Sequence, residues 1–157
     1  MTLLPATTVR ATVEAELVGA RAWAARHNWS LHWLAEDLVL RAATYHTAVH
    51  QLVEAVAECD SYRALPPAWR FVDPGTDQSE PKWFPSAHPA GSIFHGNGLI
   101  CAPWNRLAYS EHGGPHNDWN GAASWLQVPA VNTVAHTIAD MLSTIDSHLR
   151  KSPGMMR

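Results

Sequence analysis

Apolar residues recur at helical spacing near both ends of the chain and lose that regularity in between. Val9, Val13, Leu17, Ala20 and Ala24 fall on one stripe, with Arg10, Glu14 and Arg21 away from it, which predicts an amphipathic helix over 5–27. Pro5 suits a first helical position, because its fixed φ is helical and its missing amide proton has no partner there anyway; His27-Asn28 can close the far end. A second stripe, Val131, Val134, Ile138, Met141, Leu142, Ile145 and Leu149, predicts a helix over 130–149 that Ser152-Pro153-Gly154 stops.

Between the two helices the pattern is mixed. Leu38-Val39-Leu40 has the look of a strand core, whereas Val49, Leu52, Val53 and Val56 fit helical spacing, so periodicity alone makes 45–58 helical. From 61 to 129 the chain is rich in Pro, Gly, Asn, Asp and Ser, which predicts short strands and ordered loops with no regular helix. Functional groups sit preferentially on such loops over a rigid scaffold.

Length and charge narrow the classes. The 157 residues suit one domain, 1–157, large enough to bury a core. A formal net charge of −3 provides no broad basic surface, so nucleic acid is not an expected partner. No apolar run approaches the roughly 18 residues needed to span a bilayer, and Met1-Thr2-Leu3-Leu4-Pro5 lacks the basic-then-apolar start of an export signal. The expectation is a cytoplasmic protein whose two cysteines, Cys59 and Cys101, are free thiols.

Two stretches resemble the ubiquitin-conjugating family. Tyr62-Arg63-Ala64-Leu65-Pro66-Pro67-Ala68-Trp69-Arg70-Phe71 matches the aromatic, Pro-Pro, Phe segment that feeds that family's fourth strand. Consecutive prolines fix φ and withhold two amide donors, which ends one strand before the next begins. Asn97-Gly98-Leu99-Ile100-Cys101 resembles the run carrying the family's catalytic cysteine, and upstream His88-Pro89-Ala90 resembles its His-Pro-Asn tripeptide. There are departures. Extra residues separate Phe71 from Cys101 and Cys101 from the second helix, the two further C-terminal helices of the eukaryotic enzymes are missing, and the tripeptide's Asn is Ala90. Shortened forms of this kind suit bacterial ubiquitin-like conjugation systems, some of them linked to antiphage defence.

The resemblance implies an α+β fold: an N-terminal helix, a four-stranded antiparallel meander that includes 45–58, an active-site loop and a C-terminal helix. It implies that Cys101 accepts a ubiquitin-like protein as a thioester from an E1-like activating enzyme and passes it to an amine of a protein target. No Gly-x-x-x-x-Gly-Lys-Ser/Thr run is present, so ATP chemistry falls to the activating partner and no cofactor is expected. In the family the tripeptide's amide stabilises the oxyanion during aminolysis. Asn97 and Asn105, the amides nearest the thiol in sequence, are candidates to replace it, or else they cap turns.

The other chemically loaded stretch runs from His112 to Trp119. His116 and Asp118 are candidates for proton acceptor and orienter of the thiol, so the loop 108–129 is expected to fold over Cys101. By residue type, Cys101, His112 and His116 with His95 or Asp118 also form a zinc ligand set, although the paired Cys-x-x-Cys spacing of structural zinc sites is missing. Trp104, Trp119 and Trp125 are expected to pack the loop onto the domain. Cys59, after an apolar run, reads as a structural thiol. The rival readings are a zinc-dependent hydrolase on Cys101, His112 and His116, and a non-catalytic interaction module of the same fold.

Overall fold

A computed structural model describes residues 4–129 and 134–157 of the chain. Helix α1 spans Ala6–His27 and buries Val9, Val13, Leu17, Ala20 and Ala24, together with Trp23. Pro5 lies just outside as an extended N-cap, and Asn28 ends the helix in the left-handed conformation at φ 61°. Asparagine tolerates that conformation better than most residues, which explains the sharp stop.

Four strands follow: β1 (Ser30–Leu34), β2 (Val39–Tyr45), β3 (Leu52–Glu58) and β4 (Ala68–Val72). They form an antiparallel meander in the order β1-β2-β3-β4. Leu38 belongs to the β1–β2 turn and not to the strand, since its φ of 55° cannot continue one. The register sets Leu40 opposite Ala57 opposite Trp69, and Ala42 opposite Ala55 opposite Phe71. These six line the buried face, where the central alanines leave room for helices to approach. Contrary to its local period, the segment 45–58 is not helical: Tyr45 ends β2, a turn follows, and Leu52–Glu58 form β3. Val56, on the other face of β3, is buried as well. Val49 lies in the turn before the strand, and Val53 and Val56 point to opposite faces of it, so the helical spacing of these residues was misleading.

Helix α2 spans Ile138–Lys151 and not 130–149. Thr137 caps it by accepting a hydrogen bond from the Asp140 amide at 3.2 Å, and the Glu16 carboxylate of α1 takes the Ile138 N–H at 2.8 Å. Two side chains thus satisfy first-turn donors and fix the start. Val134 lies ahead of the helix and is exposed, while Val131 falls outside the described residues. The remaining stripe, Ile138, Met141, Leu142, Ile145 and Leu149, is buried as expected. Trp69 Nε1–H donates to the Met141 sulfur, which sets α2 over the Leu40–Ala57–Trp69 face. Among the described residues no helix is long and apolar enough to cross a membrane.

Among the described residues, the helical structure of the long segment after β4 is confined to short 3-10 stretches, at Pro81–Trp83, Arg106–Ala108, Ser110–His112 and, kinked at Ser124, Ala122–Gln127. It is nevertheless packed. Phe94 meets Phe71 edge-on at 5.4 Å and Trp104 meets Trp69 edge-on at 6.4 Å, so the segment packs onto the buried face at β4.

Candidate active site

The thiol sits at the end of a tight loop. Phe94 and Ile100 form a bridge, His95 N–H donates to Leu99 at 3.0 Å, and Cys101 N–H donates to Ile93 at 2.7 Å. Gly98 turns this loop at φ +81°, and a Cβ there would fall 2.3 Å from the Phe84 ring, so only glycine fits. Asn97 is exposed, and its Oδ1 accepts the Leu99 N–H at 3.2 Å in an Asx turn.

Asn105 has a different place from the one considered for an oxyanion donor. Its side chain is fully buried. Oδ1 accepts from Trp69 N–H at 2.8 Å and from Leu107 N–H at 3.3 Å. Nδ2 donates to Ile100 O at 2.7 Å and to Trp69 O at 3.2 Å. Both amide protons are committed, so none remains for a reacting oxygen. The outward N–H and C=O of Trp69 on the β4 edge are thereby capped, and the edge is joined to the residue preceding Cys101. Next in sequence, Arg106 donates to Pro66 O at 3.0 Å and to Asp60 Oδ1 at 3.0 Å, tying the Pro-Pro turn to the same loop.

The chain then doubles back. His116 N–H donates to Ala108 O at 3.0 Å and Ser110 N–H to His116 O at 2.8 Å. Gly114 makes this possible: a Cβ there would lie 2.3 Å from the Ala108 carbonyl carbon and the Leu107 oxygen. The return brings three of the sequence-predicted residues into one relay. Cys101 Sγ lies 3.0 Å from His116 Nε2, and His116 Nδ1 lies 3.0 Å from Asp118 Oδ1. An ionised carboxylate only accepts, so Nδ1 carries the proton and the lone pair of Nε2 faces the thiol. The imidazole stacks on Trp119 with centroids 3.6 Å apart and planes 8° apart.

The charges follow from this arrangement. Asp118 is held below the usual carboxyl range, first by its hydrogen bond from His116. Burial and then the Asp118 charge push the half-buried Cys101 thiol upward. Cys101 therefore rests as the thiol, with Nε2 placed to accept its proton. Cys59 is fully buried and pushed up to about 12, chiefly by desolvation, which makes it inert.

The other predicted residues lie apart from the relay. His112 and His95 are exposed, and among the described residues no group of three or more His, Cys, Asp or Glu side chains could hold a metal ion. His88 pairs with His148 of α2 at 2.8 Å, and Ala90 lines a groove with Ser143, Thr144 and Ser147 of that helix. Trp104 and Trp125 pack as expected, with Trp125 Nε1–H donating to Arg63 O at 3.0 Å. Sequence reasoning did not anticipate that Trp119 covers the imidazole. Its position three residues after His116 was the only signal. Neither a protein-family model, nor a curated protein, nor a solved structure matches the chain.

Proposed function

We propose that this protein performs acyl transfer through a thioester on Cys101, as an E2-like carrier. It accepts the C-terminus of a ubiquitin-like protein from an activating enzyme and delivers it to an amine of a protein target. The observation that carries this reading is the Cys101–His116–Asp118 relay. The motifs resembling the ubiquitin-conjugating family, and a four-strand meander between two helices, support it.

In loading, Cys101 Sγ attacks the donor thioester carbonyl while its proton moves to His116 Nε2. The donor thiol leaves and takes that proton. Thioester-for-thioester exchange is nearly balanced in energy, so activating the thiol is the main requirement. In discharge, the amine attacks the Cys101 thioester, its proton goes to Nε2, and the departing sulfur recovers it. Asp118 holds the ring in the correct tautomer and offsets the imidazolium charge in both steps.

The same relay suits a thiol hydrolase, in which water replaces the amine. One experiment separates the two. Incubation with a peptide C-terminal thioester should add the acyl mass to the Cys101 tryptic peptide, and Cys101→Ala should abolish the adduct. Added lysine should then discharge it faster than buffer alone. No adduct, or an adduct that persists in Cys101→Ala, refutes thiol acyl transfer. Discharge indifferent to lysine favours the hydrolase.

A further inference from the structure

The contacts around His116 close into a ring. The indole of Trp119 lies flat on the imidazole at 3.6 Å and takes the edge of Tyr109 at 5.3 Å. The buried Tyr109 hydroxyl donates to Pro103 O at 2.7 Å, two residues beyond the thiol. From Pro103 the chain returns through Ala102 to Cys101, whose sulfur meets His116. The base and the nucleophile are thus held by one aromatic chain as well as by their own hydrogen bond.

We infer that Trp119 is a positioning residue of the thiol site, holding the His116 ring in line between Cys101 and Asp118 and stabilising its protonated form. This rests on the thiol chemistry proposed above. Two physical effects support it. First, the stack occupies one face of an imidazole whose side chain is 27% exposed and whose orienting carboxylate is 68% exposed. Without the indole, rotation away from the sulfur would meet little obstruction. Second, an indole face is the strongest aromatic partner for a cation, so the stack favours imidazolium over neutral imidazole. Among the described residues, the titratable groups bonded to the ring are the Cys101 thiol and Asp118; Glu111, the nearest other carboxylate in sequence, instead accepts the Ala122 N–H. Stabilising the imidazolium stabilises the thiolate opposite it, since one proton moves between them.

The test is the rate of Cys101 alkylation by iodoacetamide, followed by mass spectrometry from about pH 5 to about pH 9, a range that brackets ordinary imidazole and thiol titration. Variants are compared after circular dichroism shows wild-type spectra. Trp119→Leu should slow alkylation below neutrality by about three- to thirty-fold, the range expected for losing a cation–π contact, and move the profile toward that of an isolated thiol. Trp119→Phe, with a smaller ring face, should fall between the two. In a His116→Gln background Trp119→Leu should change nothing further. A Trp119→Leu profile superimposable on wild type, or an equal loss with and without His116, overturns the inference while leaving the relay standing. Should Trp119→Leu not fold, Trp119→Phe decides, and a profile identical to wild type overturns the inference. If His116→Gln itself matches wild type at every pH, the relay fails, and the proposed function fails with it.

Discussion

Replacing Asn105 with alanine separates two accounts of this side chain. If it served as an oxyanion donor, its loss would slow discharge of the acyl group to an amine and leave folding intact. The observed bonds predict the reverse order of effects. Alanine strands Trp69 N–H, Trp69 O and Ile100 O, which Asn105 satisfies at 2.8, 3.2 and 2.7 Å. The Leu107 N–H, at 3.3 Å on a half-buried residue, can turn to water and adds little. Leaving a buried polar group unsatisfied costs about 1–3 kcal/mol. Three such groups, one of them held at the longer 3.2 Å, make a loss of about 3–5 kcal/mol reasonable, a large part of the roughly 5–15 kcal/mol that holds a typical domain. Urea unfolding followed by tryptophan fluorescence reads this directly as a lowered midpoint at constant slope. Asn105→Asp should be no better, because it keeps the acceptor, loses both donors and buries a charge. A variant within about 1 kcal/mol of wild type that loads normally and discharges slowly would refute the scaffolding account.

Gly114→Ala should act on the site through the backbone. The added Cβ would overlap the Ala108 and Leu107 carbonyl groups at 2.3 Å, so the His116–Ala108 bond must give way. Displacing the base by about 1 Å should lower Cys101 acylation on the order of a hundred-fold, with Gly96→Ala as the control, since nothing lies within 4 Å of a Cβ at that position and its φ is not in the left-handed region. Acid should destabilise the fold through His148. Burial, then His88 and Lys151, lower it from 6.5 to about 4. The unfolded chain therefore takes up a proton near 6.5 that the folded chain refuses until about 4. Stability from this group is fully present above 6.5 and is lost as pH falls toward 4. His148→Gln should flatten the urea midpoint against pH over that window, and an unchanged slope would refute the assignment.

What could be read from the sequence follows from where each element gets its stability. Helix α1 was legible because Val9, Val13 and Leu17 face a single core and Asn28 ends it with local chemistry. The C-terminal stripe was equally plain from Ile138 onward, but its start was misplaced. Val131 and Val134 continue the spacing, whereas the start is fixed by Thr137 and by Glu16, a residue 122 positions away. Strand β3 was misread by local pattern because Val49, in the turn before it, and Val53 and Val56, on its opposite faces, together mimic a helical stripe. Only the resemblance of motifs elsewhere in the sequence to a known family suggested a strand there.

The site divides along the same line. Cys101 was singled out through its resemblance to the run that carries a known family's cysteine, and His116 with Asp118 were candidates by residue type in the loop after it, since chemistry constrains which side chains can move a proton. Their alignment was not legible, because it depends on Gly114 allowing the chain to double back and on Trp119 lying over the ring. Asn105 shows the limit from the other side. A buried amide and a catalytic amide are the same residue in a sequence, and only the count of its four bonds distinguishes them.

That distinction bears on the proposed reaction. Loading by exchange between thioesters asks for a thiol and a base, and Cys101 with His116 supplies both. Aminolysis asks in addition for a donor to the oxyanion, a contribution of a few kcal/mol where single donors have been removed from other enzymes. Ala90 has no amide to give and Asn105 has committed both of its protons. Asn97 keeps its Nδ2 without a partner among the described residues, but stands on an exposed turn, where its Oδ1 is engaged by the Leu99 N–H. On the proposed reading, the two half-reactions are therefore unequally equipped. Loading relies on a preorganised pair, whereas none of Ala90, Asn97 and Asn105 holds a side-chain amide proton fixed for discharge. Such an arrangement suits a carrier, because a thioester poorly supplied with oxyanion donors also resists water while it waits.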